Sequence, residues 1–165
     1  MAQGAEEPAT VVMEPSRPDL PPLLKICSLL NAAGAKYLVI GGYAVILHGL
    51  VRTTDDVDIL IEATEENAVR VWQALDGLRD HAVRELKPPD LLEGVVVVGD
   101  EFQVDVSIHA WKVSYADAIG TAREVVLEGV RVPYLGYDML IASKQTYREK
   151  DQLDLLQIRA LKERL

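Results

Sequence analysis

Two aspartates separated by a single valine, in the run Asp56-Val57-Asp58-Ile59-Leu60-Ile61, constrain this chain more than any other feature. An apolar run of this kind reads as a strand. Side chains along a strand alternate between its faces, so Asp56 and Asp58 project from one side while Val57 points the other way into packing. Two carboxylates held side by side repel each other. A hard divalent cation relieves that repulsion, takes oxygen ligands, and is typically completed by the phosphates of a nucleotide. The strand is therefore expected to act as a shelf for metal. Asp55 falls out of phase with the pair and is read as an outer contributor at most.

The residues leading into this strand fit the same chemistry. Tyr37 to Ile40 reads as a buried strand, because four apolar residues directly precede a Gly41-Gly42 break. The glycines let the chain turn sharply into a short helix over Tyr43 to Leu47, and amides at a helix start approached through residues without side chains are where phosphate oxygens bind. Gly-Gly alone fits an ordinary tight turn equally well; its position about fourteen residues before the acid pair favours the phosphate reading. Arg52 has two readings, a phosphate contact or an ion pair with Asp55 that locks the loop, with the pair favoured. His48 closes the short helix, and a capping or packing role is favoured for it over a base or metal ligand.

A third acid stands apart. Val95–Val98, the Gly99-Asp100 turn and Phe102–Ile108 read as a hairpin, in which Val104, Val106 and Ile108 share one face and Gln103, Asp105 and Ser107 the other. An acid in the middle of an apolar strand must be paired, exposed or ligating. If this strand lies beside Asp56 and Asp58, Asp105 completes a three-carboxylate cluster.

The remaining pattern supplies a scaffold. A helix is expected from Pro18 to Gly34 with Asp19 as its cap, and another from a Thr64 cap to Gly77 with Trp72 in the core. Residues 78–92, with Pro88-Pro89, read as a loop near the substrate entrance. A short helix over Tyr115–Arg123 and a hairpin over Glu124–Pro133 follow. From Tyr137 onward the pattern is helical, and Lys144, Arg148 and Asp151 share a stripe if that helix is continuous. Residues 1–17 are expected to form a flexible leader and 18–165 a single domain.

The 165-residue chain is 49% hydrophobic and 26% charged, which excludes the disordered class. Its apolar runs fall short of the ~20 residues that span a bilayer, and a secretory signal pattern is missing, so a cytoplasmic location without membrane contact is expected. Cys27 is the only cysteine, which excludes an internal disulfide and a cysteine-based zinc site. The net charge of −9 argues against nonspecific coating of nucleic acid, although Lys144, Arg148, Lys150, Arg159, Lys162 and Arg164 make the C-terminal part locally basic.

Three stretches, IGGYAVILHGLVRTTDDVDILI, FQVDVSI and KQTYREKDQLDLL, together give the chain a pattern that resembles the nucleotidyltransferase superfamily, in particular its small AbiEii-like and minimal nucleotidyltransferase members. The resemblance runs from about Tyr37 to Leu156. It implies an α/β (α+β) fold with a mixed sheet flanked by helices. It places Gly41 and Gly42 at the phosphate turn and Asp56, Asp58 and Asp105 on Mg²⁺ or Mn²⁺, with Arg52, Lys144 and Arg148 supporting the triphosphate or the local ion-pair frame. The implied reaction moves a nucleoside monophosphate from an NTP such as ATP to a hydroxyl of RNA, protein or a small molecule. A toxin–antitoxin setting with an antitoxin-like partner is also implied. The alternative is a non-catalytic binding module of the same fold.

Overall fold

The computed structural model describes residues 20–146 and 148–163; the expected leader, the Asp19 cap and Arg164 lie outside them. Helix α1 (Pro21–Ala32) opens on prolines, whose missing N–H groups are not needed in a first turn. Leu23, Ile26, Cys27 and Leu30 recur every three or four residues and form its buried face. Gly34, at φ +71°, takes the left-handed turn that follows the helix.

Strand β1 (Tyr37–Ile40) then enters helix α2 (Gly41–Leu47), and the chain returns as β2 (Val57–Ile61), antiparallel to β1. Helix α3 (Glu65–Leu75) begins where the Thr64 hydroxyl accepts the Asn67 amide hydrogen at 3.1 Å, the expected cap. Buried Asn67 fastens three segments at once. Its Oδ1 accepts from the Lys36 amide, and its Nδ2 donates to the carbonyls of Lys36 and Glu62.

Residues 78–92 differ from expectation. They form two 3₁₀ turns, Ala82–Glu85 and Pro88–Leu92, whose Val83 and Leu91 are fully buried in the core. Half-buried Trp72 donates its indole hydrogen to the Leu86 carbonyl at 2.9 Å, so this segment packs against α3 instead of bordering a substrate entrance. The expected hairpin forms as β3 (Val95–Gly99) and β4 (Gln103–Ser107). A two-stranded ribbon, β5 (His109–Ala110) and β6 (Val113–Ser114), leads into α4 (Tyr115–Ala118) and a 3₁₀ turn at Ile119–Thr121. The last hairpin is β7 (Arg123–Leu127) and β8 (Val130–Tyr134). The C-terminal helical pattern is broken into α5 (Tyr137–Ser143) and α6 (Glu149–Glu163), so Lys144, Arg148 and Asp151 do not lie along one continuous helix.

The fold is mixed α/β, with a six-stranded sheet in the order β3-β4-β2-β1-β8-β7. β4 runs parallel to β2 and β8 parallel to β1, while the other neighbours are antiparallel. Alternation along the central strands separates two cores. Tyr37, Val39, Val57, Ile59, Ile61, Val104 and Val106 join α1 and α3 on one face. Leu38, Ile40 and Leu60 join Leu140 of α5 and Ile158 of α6 on the other. Asp58 has the parity of Leu60, so the second face receives its carboxylate. Among the described residues no helix is long and apolar enough to cross a membrane.

Candidate active site

The β2–β4 pairing fixes the acid geometry. These parallel strands are in register with Asp58 opposite Asp105, flanked by the buried pairs Val57–Val104 and Ile59–Val106. A one-residue slip would turn every one of those valines and isoleucines toward the wrong face, so core burial holds the two carboxylates side by side. Asp56 precedes β2 with the same parity. The Asp105 Oδ1 accepts from the Gln103 side-chain amide Nε2 at 3.1 Å.

Burial and crowding perturb Asp58 and Asp56. Asp58 is pushed up to about 7, first by burial, then by sharing a hydrogen bond with Asp105 and by the charges of Asp105 and Asp56; the Lys144 ammonium opposes the shift. Asp56 is also raised, by burial and then by Asp105 and Asp55, with Lys150 opposing. A carboxyl group that holds its proton well above the ordinary range, as Asp58 does, is poised to exchange it or to accept a cation.

Gly41 explains how the chain passes so close to Asp58. Its φ of +69° favours glycine, and a Cβ built there would overlap the Asp58 carboxylate. A Cβ on Gly42 would meet the Thr54 hydroxyl at 2.6 Å, and that hydroxyl donates to the Asp56 carbonyl at 3.3 Å. The Gly-Gly turn is thus fitted to the aspartate strand and its approach.

One cavity of about 930 Å³ is lined by all eight residues singled out from the sequence: Gly41, Gly42, Arg52, Asp56, Asp58, Asp105, Lys144 and Arg148. The cations do not stand free in it. Arg52 pairs with Asp154 at 2.6 Å, and not with Asp55, which is exposed on the cavity wall. Lys144, only 5% exposed, lies 3.0 Å from Asp154 and 3.4 Å from Asp151. Arg148 reaches Asp151 at 2.8 Å while most of its own side chain stays in solvent. Burial alone would raise Asp151, but the Thr146 hydroxyl, Arg148 and Lys144 outweigh it and hold the carboxyl below its ordinary range.

His48 stands elsewhere. It caps α2, its Nε2 donates to the Leu135 carbonyl at 2.6 Å, and its ring packs between Tyr134 and Tyr137. Burial lowers its affinity for a proton. The packing reading of this histidine holds.

Sequence reasoning noted Ser107 and Lys150 only in passing and gave His109 and Asp154 no role. Ser107 and His109 continue the alternation that begins at Asp105, so the period-two spacing that placed Ser107 would have found His109 if carried across the β4–β5 junction. Lys150 sits close enough to Asp56 to oppose its shift. Asp154, the shared partner of Arg52 and Lys144, lay within a motif already noticed, but a partner 102 residues away leaves no local signal.

A divalent cation suits the donor set, which is all oxygen and carries excess negative charge. Among the described residues no three His, Cys, Asp or Glu side chains are gathered tightly enough to hold a metal unaided. Asp58 and Asp105 therefore offer a carboxylate pair, open on the cavity side, that external oxygen ligands would complete. No family model matches this chain, and no curated protein sequence does.

Proposed function

We propose that this chain is a nucleotidyltransferase that moves a nucleoside monophosphate from an NTP to a hydroxyl acceptor. The observation that carries the reading is the register of Asp58 against Asp105, which sets two carboxylates side by side on a cavity wall beside a side-chain-free turn. A structural acid pair has no need of that arrangement, since each carboxylate raises the cost of ionising the other.

In this reading Asp58 and Asp105, with Asp56 beside them, hold Mg²⁺ or Mn²⁺. When bound, the cation supplies charge neutralisation for the triphosphate and lowers the pKa of an oxygen it contacts. The protein's remaining task is positioning, because phosphoryl and nucleotidyl transfers need little covalent help. Gly41 and Gly42 let the backbone pass close against Asp58 and Thr54 on the cavity wall where the phosphates would lie. The acceptor oxygen forms a bond to the α-phosphorus as the bond to the bridging oxygen breaks. Pyrophosphate leaves with that electron pair, and the hydroxyl proton passes to Asp105. Exposed Lys150 and Arg148 face the charge that develops on the leaving group, while Arg52 and Lys144 hold the wall through Asp154.

Incubating the protein with α-labelled NTP, Mg²⁺ and RNA, protein or small-molecule acceptors should label one fraction. Asp56→Asn with Asp58→Asn should reduce labelling by at least a hundredfold while leaving the folded state intact by circular dichroism. Undiminished transfer by that variant overturns the assignment. Absence of metal-dependent NTP binding by calorimetry would instead identify a binding module.

A further inference from the structure

A second cavity, of about 720 Å³, adjoins the first and shares Trp111 and Thr146 with it. Its wall includes Lys112 from the β5–β6 ribbon and Gln152 and Arg159 from α6. Trp111 occupies the first position of the two-residue turn between Ala110 and Val113, with φ +60°. Glycine is the usual choice at such a position, and a bulky residue there is strained. The strain brings only partial burial in return: Trp111 is 46% exposed, and its neighbour Lys112 lies with its ammonium 5.8 Å from the indole centroid. An exposed aromatic plate held in an unfavourable backbone conformation at the junction of two cavities is where a functional constraint is expected.

The ligand chemistry follows from the wall. A π-face accepts any nucleobase, and cations beside it accept the attached phosphate. Among the described residues neither Lys112 nor Arg159 pairs with a carboxylate, unlike Arg52, Lys144 and Arg148 in the neighbouring cavity. With a net charge of −9, the surface as a whole repels a polyanion, so contact would be confined to this groove. We propose that the groove holds the last nucleotides of a single-stranded RNA acceptor, one base stacked on Trp111 and one or two phosphates near Lys112 and Arg159, directing the terminal hydroxyl toward Asp105. This deepens the nucleotidyltransferase reading and rests on it for the role of the bound strand, though not for the binding itself.

The test is a fluorescence titration of the full chain carrying Trp72→Phe, which leaves Trp111 as the only tryptophan. A short single-stranded oligoribonucleotide without metal should quench the emission and saturate. Two phosphate contacts predict an affinity that falls with salt with a log–log slope of about −1.4, and Arg159→Gln should reduce that slope by about 0.7. In the natural background, Trp111→Gly should weaken oligonucleotide binding by on the order of tenfold or more, the size set by one stacked base. The same substitution should raise Tm, because it relieves a positive φ. A structural tryptophan would do the reverse. Quenching by NTP with none by the oligonucleotide would assign the plate to the donor base and overturn the proposal, as would binding by a peptide or small hydroxyl acceptor alone. Saturable quenching with no label transfer would remove the enzymatic reading and leave the strand site standing; transfer that is indifferent to Trp111→Gly would do the opposite.

Discussion

Asp58 shows how one residue links register, electrostatics and stability. In metal-free protein its carboxyl titrates at about 7, against an ordinary value of 3.8. Below about pH 4 both folded and unfolded chains hold the proton, and the group contributes nothing. As pH rises toward 7 the unfolded chain releases it while the folded chain retains it, so folding stability is lost over that window and the deficit is complete above it. Asp58→Asn removes the titration and imitates the protonated carboxyl. The variant should therefore match the natural protein near pH 4 and become progressively more stable up to about pH 8, by at most roughly 4 kcal/mol at about 1.36 kcal/mol per unit. Other shifted carboxyls, such as Asp76, Asp100 and Asp151, titrate in both proteins and largely cancel in the difference. Chemical denaturation in chelator across pH measures it, and a difference that does not change with pH would show that Asp58 is not strained by its neighbours.

At the scale of elements, local patterns were legible and long-range ionic ones were not. The acid pair's parity, the Gly-Gly start of α2, the Thr64 cap and the β3–β4 hairpin all depend on residues within a few positions of one another. The helix break at 144–148 could not be read in that way, because Leu and Ile spacing on both sides suits a single helix. What ends α5 is tertiary: Lys144 turns inward to Asp151 and Asp154 of the next helix, and Arg52 arrives from the loop before β2 to share Asp154. These contacts join α5, α6 and the wall of the acid cavity. Lys144→Met should accordingly destabilise the protein by about 3 kcal/mol, near the low end for breaking a buried pair, since Arg148 and Arg52 remain to compensate the two aspartates. Urea unfolding checks it. An unchanged midpoint with weakened NTP binding would make Lys144 a nucleotide contact and not part of the frame.

For the whole molecule, the excess of 26 acids over 17 bases means that any cation stabilises the folded state to some degree by screening repulsion. A specific site must be separated from that background. A divalent ion held by ionised Asp58 and Asp105 competes with the proton on Asp58, so its effect should be small at pH 5 and full at pH 8. Mg²⁺ at a hundred times its dissociation constant would add about 2.7 kcal/mol, which for a chain of this size corresponds to a rise in Tm of roughly 5–10 °C. Sodium chloride at matched ionic strength should give only the screening part, and so should Mg²⁺ with Asp58→Asn. Differential scanning calorimetry over the two pH values and the three conditions reads all of these effects. Equal shifts for Mg²⁺ in the natural protein and the variant would mean that the carboxylate pair binds no ion, and the nucleotidyltransferase reading would lose its cation while the sheet register, held by core burial, would stand.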